Sequence, residues 1–163
     1  MKKCLIVFLA SIAIIATSCS SDTERYEEPT FTEIQQRYEH TELELELLDL
    51  INSYRVQHGL NTLTIIEHIS YKANEHNNFM IETNNINHEG FEERKYNLEQ
   101  VLGAVRVGEN IAFGYSSPQA ALTAWIESDG HKANLDGNYT HFGVSIKKDL
   151  EGRKYYTNMF IRR

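Results

Sequence analysis

Phe142-Gly143-Val144-Ser145-Ile146-Lys147, followed by Glu151-Gly152 and by Lys154-Tyr155-Tyr156-Thr157-Asn158-Met159-Phe160-Ile161, is the stretch that decides the fold class. Apolar side chains stand at every second position of its first half, which is the period of a strand. The second half is an extended run rich in aromatic residues, and Glu151-Gly152 supplies a turn between the two, so the whole reads as a hairpin. Upstream, Glu109-Asn110-Ile111-Ala112-Phe113 is short, apolar and bounded by Gly108 and Gly114, which predicts a third extended piece.

Towards the N-terminus the period becomes helical. Thr41-Glu42-Leu43-Glu44 has the capping-box arrangement, in which the threonine hydroxyl takes one unpaired amide and Glu44 reaches back to another. Leu43, Leu47, Leu50, Ile51 and Tyr54 form the apolar stripe of the helix that follows, and Gly59 ends it. A second helix is predicted over residues 65–83, with Ile66, Ile69, Ala73, His76 or Asn77 and Met80 on one face and Asn84-Asn85-Ile86-Asn87 as its break. Ser117-Pro118 opens a third helix through Ala121, Leu122 and Trp125 to Glu127, with Gly130 as its stop. Helices and a hairpin within a chain of this size predict one α+β domain over residues 41–163.

The first residues read as an export signal. Lys2 and Lys3 precede an apolar run over residues 5–16, interrupted only by Ser11 and too short to span a bilayer comfortably, so residues 1–18 are predicted to be a signal peptide. Ala16-Thr17-Ser18-Cys19 resembles a lipobox with alanine where leucine is usual, which would make Cys19 the first mature residue and the site of acylation. An ordinary signal peptide that happens to contain a cysteine is the alternative. A lipid on Cys19 would tether the protein to a membrane without a spanning helix. Cys4 and Cys19 are the only cysteines, so the mature domain has neither a disulfide nor a thiol nucleophile, and zinc ribbons and cysteine hydrolases are excluded. Loss of Lys2 and Lys3 with the signal takes the net charge from −7 to −9, a surface that repels phosphate backbones and excludes nucleic acid as an expected partner. Residues 19–40 are polar and acidic and read as a tether, long enough when extended to reach on the order of 70 Å. Phe31, Ile34 and Tyr38 have helical spacing, so docking of the second half onto the domain as a short helix is the alternative to a plain tether. Asp22, Glu24, Glu27 and Glu28, close behind Cys19, resemble surface-export signals of some bacterial lipoproteins, which would place the anchor at the outer membrane, exposed on the surface; the other reading is an ordinary hydrophilic linker, in which four acids are commonplace.

Several short motifs occur in a fixed order. They are Leu50-Ile51-Asn52-Ser53-Tyr54-Arg55 with His58-Gly59-Leu60, His88, Gly108-Glu109-Asn110-Ile111-Ala112, Trp125, Gly130-His131-Lys132-Ala133-Asn134-Leu135, Phe142-Gly143-Val144 and Tyr155-Tyr156-Thr157. Together they resemble the CAP superfamily, also called SCP/PR-1-like, and its bacterial branch most. The resemblance covers residues 41–162. It implies an α-β-α sandwich with a central antiparallel sheet between helical layers, and a long cleft lined by two histidines and two acids. Carried over residue by residue, the first histidine is His88, the first acid Glu109 and the second histidine His131. The second acid is missing: Ser128 stands three residues after Trp125, and Glu127 beside it lies one helical step of about 100° away.

Composition alone would not pick these three residues out of seven histidines and many glutamates. His40, His58, His68 and His141 read as surface or hydrogen-bonded structural residues, and His76 as a partly buried core residue. If His88, Glu109 and His131 converge, two neutral imidazoles and a carboxylate could ligate zinc or another divalent cation and leave a fourth position for water. Alternatively Glu109 accepts a hydrogen bond from a histidine and fixes its tautomer, with no metal bond. A third reading makes the same three residues catalytic candidates, with a histidine–glutamate pair as general base on a peptide or glycan. Gly114-Tyr115-Ser116-Ser117-Pro118 lacks the closing glycine of a nucleophile elbow, and its serines serve better as a helix cap. Trp125 and Tyr155-Tyr156 read as core packing. The gap at Ser128 favours binding over catalysis. The expected function is therefore a cell-envelope lipoprotein whose cleft takes a lipid, peptide or glycan ligand. The alternatives are a weak metal-assisted or acid/base hydrolase of envelope peptides or glycans, and a structural or adhesive module.

Overall fold

The computed structural model describes residues 34–163; the expected signal peptide, Cys19 and residues 20–33 of the expected tether lie outside them. The elements run α1 Glu42–Gln57, β1 Thr64–Ile65, α2 Glu67–Thr83, α3 Phe91–Leu102, β2 Arg106–Phe113, α4 Pro118–Glu127, α5 Asp129–Leu135, β3 His141–Lys148 and β4 Lys154–Arg162. The sheet order is β1-β3-β4-β2. The three long strands are antiparallel, as expected, and only the two-residue β1 pairs in parallel, against the start of β3.

Alternation along β3 and β4 explains the layers. Phe142, Val144, Ile146, Tyr156 and Phe160 pack into one apolar cluster with Leu47, Leu48 and Ile51 of α1, Leu122 and Trp125 of α4 and Leu135 of α5. Met159 and Ile161 point the other way, onto Ile69 and Ala73 of α2 and Leu98 and Leu102 of α3. Both faces of the sheet are thus covered, which is the α-β-α sandwich. Truncating one of the fully buried α1 residues, such as Leu47 or Ile51, to alanine is expected to cost about 2–5 kcal/mol. The small residues between the apolar ones on β3 have their own reason: a Cβ at Gly143 would run into the backbone of Ile69 and Ser70, so α2 lies directly on the strand there.

The capping box of α1 forms as expected, with Thr41 N–H donating to Glu44 at 2.8 Å and Glu44 N–H to the Thr41 hydroxyl at 3.4 Å. Its reach goes beyond the helix. β1 accompanies only His141 and Phe142, so the later amides on that side of β3 lack a strand partner. Ser70 accepts the Val144 amide at 3.0 Å and fully buried Glu44 accepts the Ile146 amide at 2.7 Å, which closes the free edge with side chains.

Three expectations need correction. Residues 34–40 are not a helix: they run without regular structure and are pinned where Gln36 N–H donates to His68 Nδ1 at 2.9 Å and the Tyr38 hydroxyl donates to Glu44 at 2.7 Å. The third helix ends at Glu127 because Ser128 adopts an extended backbone, and Gly130 lies inside the following α5 rather than stopping α4. Helix α3 was not anticipated at all, because half of its buried face is polar: Arg94 and Asn97 share it with Leu98 and Leu102.

Candidate functional site

β2 is an edge strand, so residues from both helical layers can meet around it. Glu109 turns towards α2 and α3, where its side chain is almost fully buried. Arg94 clasps both of its oxygens, with Nε and Nη2 each donating at 2.8 Å. His88 Nδ1 donates to the same carboxylate at 2.8 Å, which fixes the proton on Nδ1 in the neutral ring and leaves Nε2 as the free edge. The His88 ring is half-exposed.

The turn before α3 makes this geometry. Gly90 has φ +71°, a left-handed conformation open to glycine, and a Cβ there would stand 3.1 Å from Arg94 Nη1. The chain therefore folds over the guanidinium, and Nη1 donates to the Glu89 carbonyl at 2.8 Å. From α2, His76 comes within 3.9 Å of Glu109; its Nε2 donates to the Asn87 carbonyl at 2.8 Å. Burial holds the His76 pKa below the ordinary imidazole value, with the field of Glu109 pulling the other way.

The other layer contributes His131. Asn134 of α5 donates to the Glu109 carbonyl at 3.1 Å and to Asn110 Oδ1 at 2.9 Å, while Asn110 Nδ2 donates to the His131 carbonyl at 3.0 Å. These bonds fasten α5 to β2. His131 stands close enough to feel His88: burial first, and then the field of His88, lowers its pKa. It lines a cavity of about 300 Å³ walled mainly by Ile111, Phe113, Ala124 and Trp125, with Ser128 beside it. The position without its acid is thus part of the site, whereas Glu127 is exposed and outside that wall.

His88 and Glu109 are directly bonded, and His131 joins them through its field and not through a hydrogen bond. The three-ligand metal centre suggested by the residue types does not fit this geometry. Both Glu109 oxygens are engaged by a cation, and among the described residues no group of three or more His, Cys, Asp or Glu side chains is arranged to hold a metal ion. The tautomer-fixing role of Glu109 is the one the distances support. Of the histidines expected to be structural, His40 pairs with the Ser70 hydroxyl at 2.8 Å and His68 is buried against Asn97 at 2.8 Å. Arg94 was missed by sequence reasoning because it sits among Glu92, Glu93 and Lys95 and reads there as surface charge; a buried position on the helix face is its only mark.

Residues 48–160 match the sequence pattern of CAP, the Cysteine-rich secretory protein family, and the chain belongs to that family. It is 40% identical over 127 residues to the uncharacterized membrane protein YlbC of Bacillus subtilis (strain 168), an alignment that covers 76% of this chain and 35% of that protein. Against the uncharacterized protein YkwD of the same organism it is 31% identical over 122 residues, covering 72% of this chain and 46% of the relative. The chain therefore spans less than half the length of these curated relatives. Among solved structures it resembles an extracellular protein containing an SCP domain from Bacillus anthracis str. Ames, with a TM-score of 0.65 and 31% identity over 74% of this chain and 40% of that one. An outer surface protein of Borrelia burgdorferi shares the fold at a TM-score of 0.70 and 21% identity, covering 80% of this chain and 99% of that one.

Proposed function

We propose that this chain is a membrane-anchored protein of the cell envelope whose CAP domain binds a ligand or partner at the His88–Glu109–His131 surface without turning it over. The observation that carries this reading is the bidentate grip of Arg94 on Glu109. Three N–H donors take up lone pairs of the Glu109 carboxylate, so Nε2 of His88 is the free base of the pair, and Ser128 stands where a two-carboxylate mechanism would need its second acid. What faces outward is the free edge of His88, the His131 imidazole and the apolar slot beside Trp125, a combination suited to an apolar group carrying one polar atom.

Chemical-shift mapping of the acyl-free Cys19→Ser protein against peptidoglycan fragments, casein peptides and phospholipid vesicles tests the site. Shifts centred on Ile111, Trp125 and His131, lost in His131→Ala and unaccompanied by cleavage, are expected. Cleavage of any of these that vanishes in Glu109→Gln would overturn the binding reading in favour of a hydrolase.

Anchoring through Cys19 is supported by the small residues before it and by the description of YlbC as a membrane protein; the extracellular and outer-surface descriptions of the two structural relatives support an exported location. Mass spectrometry of the membrane fraction is expected to find a chain that begins at acylated Cys19. An unmodified Cys19, or cleavage elsewhere, removes the anchor.

A further inference from the structure

The open edge of β2 has a hydrogen-bonding pattern of its own. Gly114 N–H donates to the Lys154 carbonyl at 2.9 Å, in register with Phe113 opposite Tyr155. Even-numbered β2 residues therefore turn their amides and carbonyls to β4, and odd-numbered ones turn them outward. Two outward carbonyls are taken: Asn134 Nδ2 donates to that of Glu109 at 3.1 Å, and Trp125 Nε1 to that of Ile111 at 2.8 Å. The outward amides are not. Among the described residues no acceptor meets the Ile111 or Phe113 amide, whereas on the opposite edge of the sheet Ser70 and Glu44 accept amides of β3. An edge with capped carbonyls and open amides offers donors only.

These donors face the slot beside Trp125. The Ala112 side chain packs into the cluster beneath α4, while Val107 packs into the other layer, which by alternation is also the side of Ile111 and Phe113. A cavity walled by all three of residues 111–113 therefore runs along the strand edge, where the odd amides point, and Ala124, Trp125 and His131 close it from α4 and α5. Among the described residues no Asp, Glu, Lys or Arg lines it. Glu127 and Asp129, on either side of Ser128 in the chain, are exposed and oppose an incoming carboxylate. The group that belongs here is a neutral acceptor.

A peptide laid along the edge would present N–H groups as well as carbonyls, and the strand carbonyls they need are held by Asn134 and Trp125. A single amide fits better. Its C=O and N–H point in opposite directions, so a carbonyl on the strand sends the N–H to the far wall, where Ser128 and His131 can accept. Exposed Tyr115 also lines the slot and offers an apolar face to a sugar ring. We propose that the slot binds the acetamido group of an N-acetylated amino sugar, its carbonyl accepting from the Ile111 amide and its methyl resting on Trp125. The inference rests on the ligand-binding reading above and names the group bound.

Titration of the acyl-free Cys19→Ser protein with N,N′-diacetylchitobiose, followed by amide NMR, reads the contact at the donor itself. Cellobiose, which lacks the acetamido groups, controls for the sugar, and N-acetyl-alanine methylamide stands for a peptide. A saturable downfield shift of the Ile111 amide proton is expected with the acetylated disaccharide and not with cellobiose. Ala124→Leu, which narrows the slot from α4 without altering the strand, is expected to weaken binding at least about tenfold. Ile111→Pro removes the donor at an outward edge position, where proline is tolerated, and is expected to weaken binding, read at the Trp125 indole proton, to a similar degree. No saturable shift of Ile111 up to about 20 mM disaccharide, an equal response to cellobiose, or undiminished binding in Ala124→Leu would each overturn the proposal. A response at Ile111 to the peptide alone would overturn it and leave the binding reading standing; silence of the slot towards every probe, peptides and vesicles included, would remove both.

Discussion

Glu44 and Glu109 are both buried carboxylates, yet the molecule satisfies them in different ways. Glu44 is held by four neutral donors: the amide and hydroxyl of Thr41, the amide of Ile146 and the hydroxyl of Tyr38. Two of the four are backbone groups, so its position follows from the docking of α1 against β3. Glu109 is held by cationic and titratable side chains, Arg94 and His88, brought from outside its strand. A buried charge needs compensation in either case. Neutral donors bind a carboxylate into the scaffold, whereas a charged partner on a separate helix makes the site depend on that partner staying in place.

The largest test of this contrast removes the guanidinium. Arg94→Met leaves Glu109 buried beside only a half-exposed imidazole and is expected to lower stability by about 3–5 kcal/mol. Glu44→Gln keeps a carbonyl acceptor for the surrounding donors and should cost less, about 1–3 kcal/mol. Urea unfolding of the two variants beside the parent measures both, and the reverse order would break the distinction drawn between the two carboxylates.

A smaller effect concerns pH. Burial lowers the folded-state pKa of His76 below its unfolded value of about 6.5, so the unfolded chain binds the proton more readily. The stability contributed by neutral His76 is complete above that unfolded value and is lost as pH falls below it. His131, lowered by burial and by His88, acts in the same direction. The melting temperature is expected to fall between pH 7 and about pH 5.5, and His76→Gln is expected to flatten that fall. An identical slope in the variant would assign the pH dependence to other groups.

The same two carboxylates show what can be read from a sequence. Glu44 is visible because its first partner, Thr41, is three residues away and belongs to a local pattern; its bond to Ile146 spans 102 positions and is not visible. The β3–β4 hairpin shows in its period for the same reason, since alternation is local. Glu109 emerges only through resemblance to a family, because its partners lie 15 and 21 residues away on elements with no periodic mark. Helix α3 escaped detection because Arg94 and Asn97 occupy positions where an apolar stripe would have announced it. The end of α4 at Glu127 was legible, but the residue that stops it was not: Ser128 breaks the helix with an extended backbone, where Gly130 was the more conspicuous residue.

The closed edge of β3 has a consequence for how the chain folds. Its Val144 and Ile146 amides are covered by Ser70 of α2 and Glu44 of α1, neither of which belongs to the sheet. Until both helices have docked, that edge is an open template for strand addition from another molecule. Partly folded chains should therefore aggregate through this strand, and the moment of greatest risk is the interval before α1 and α2 settle.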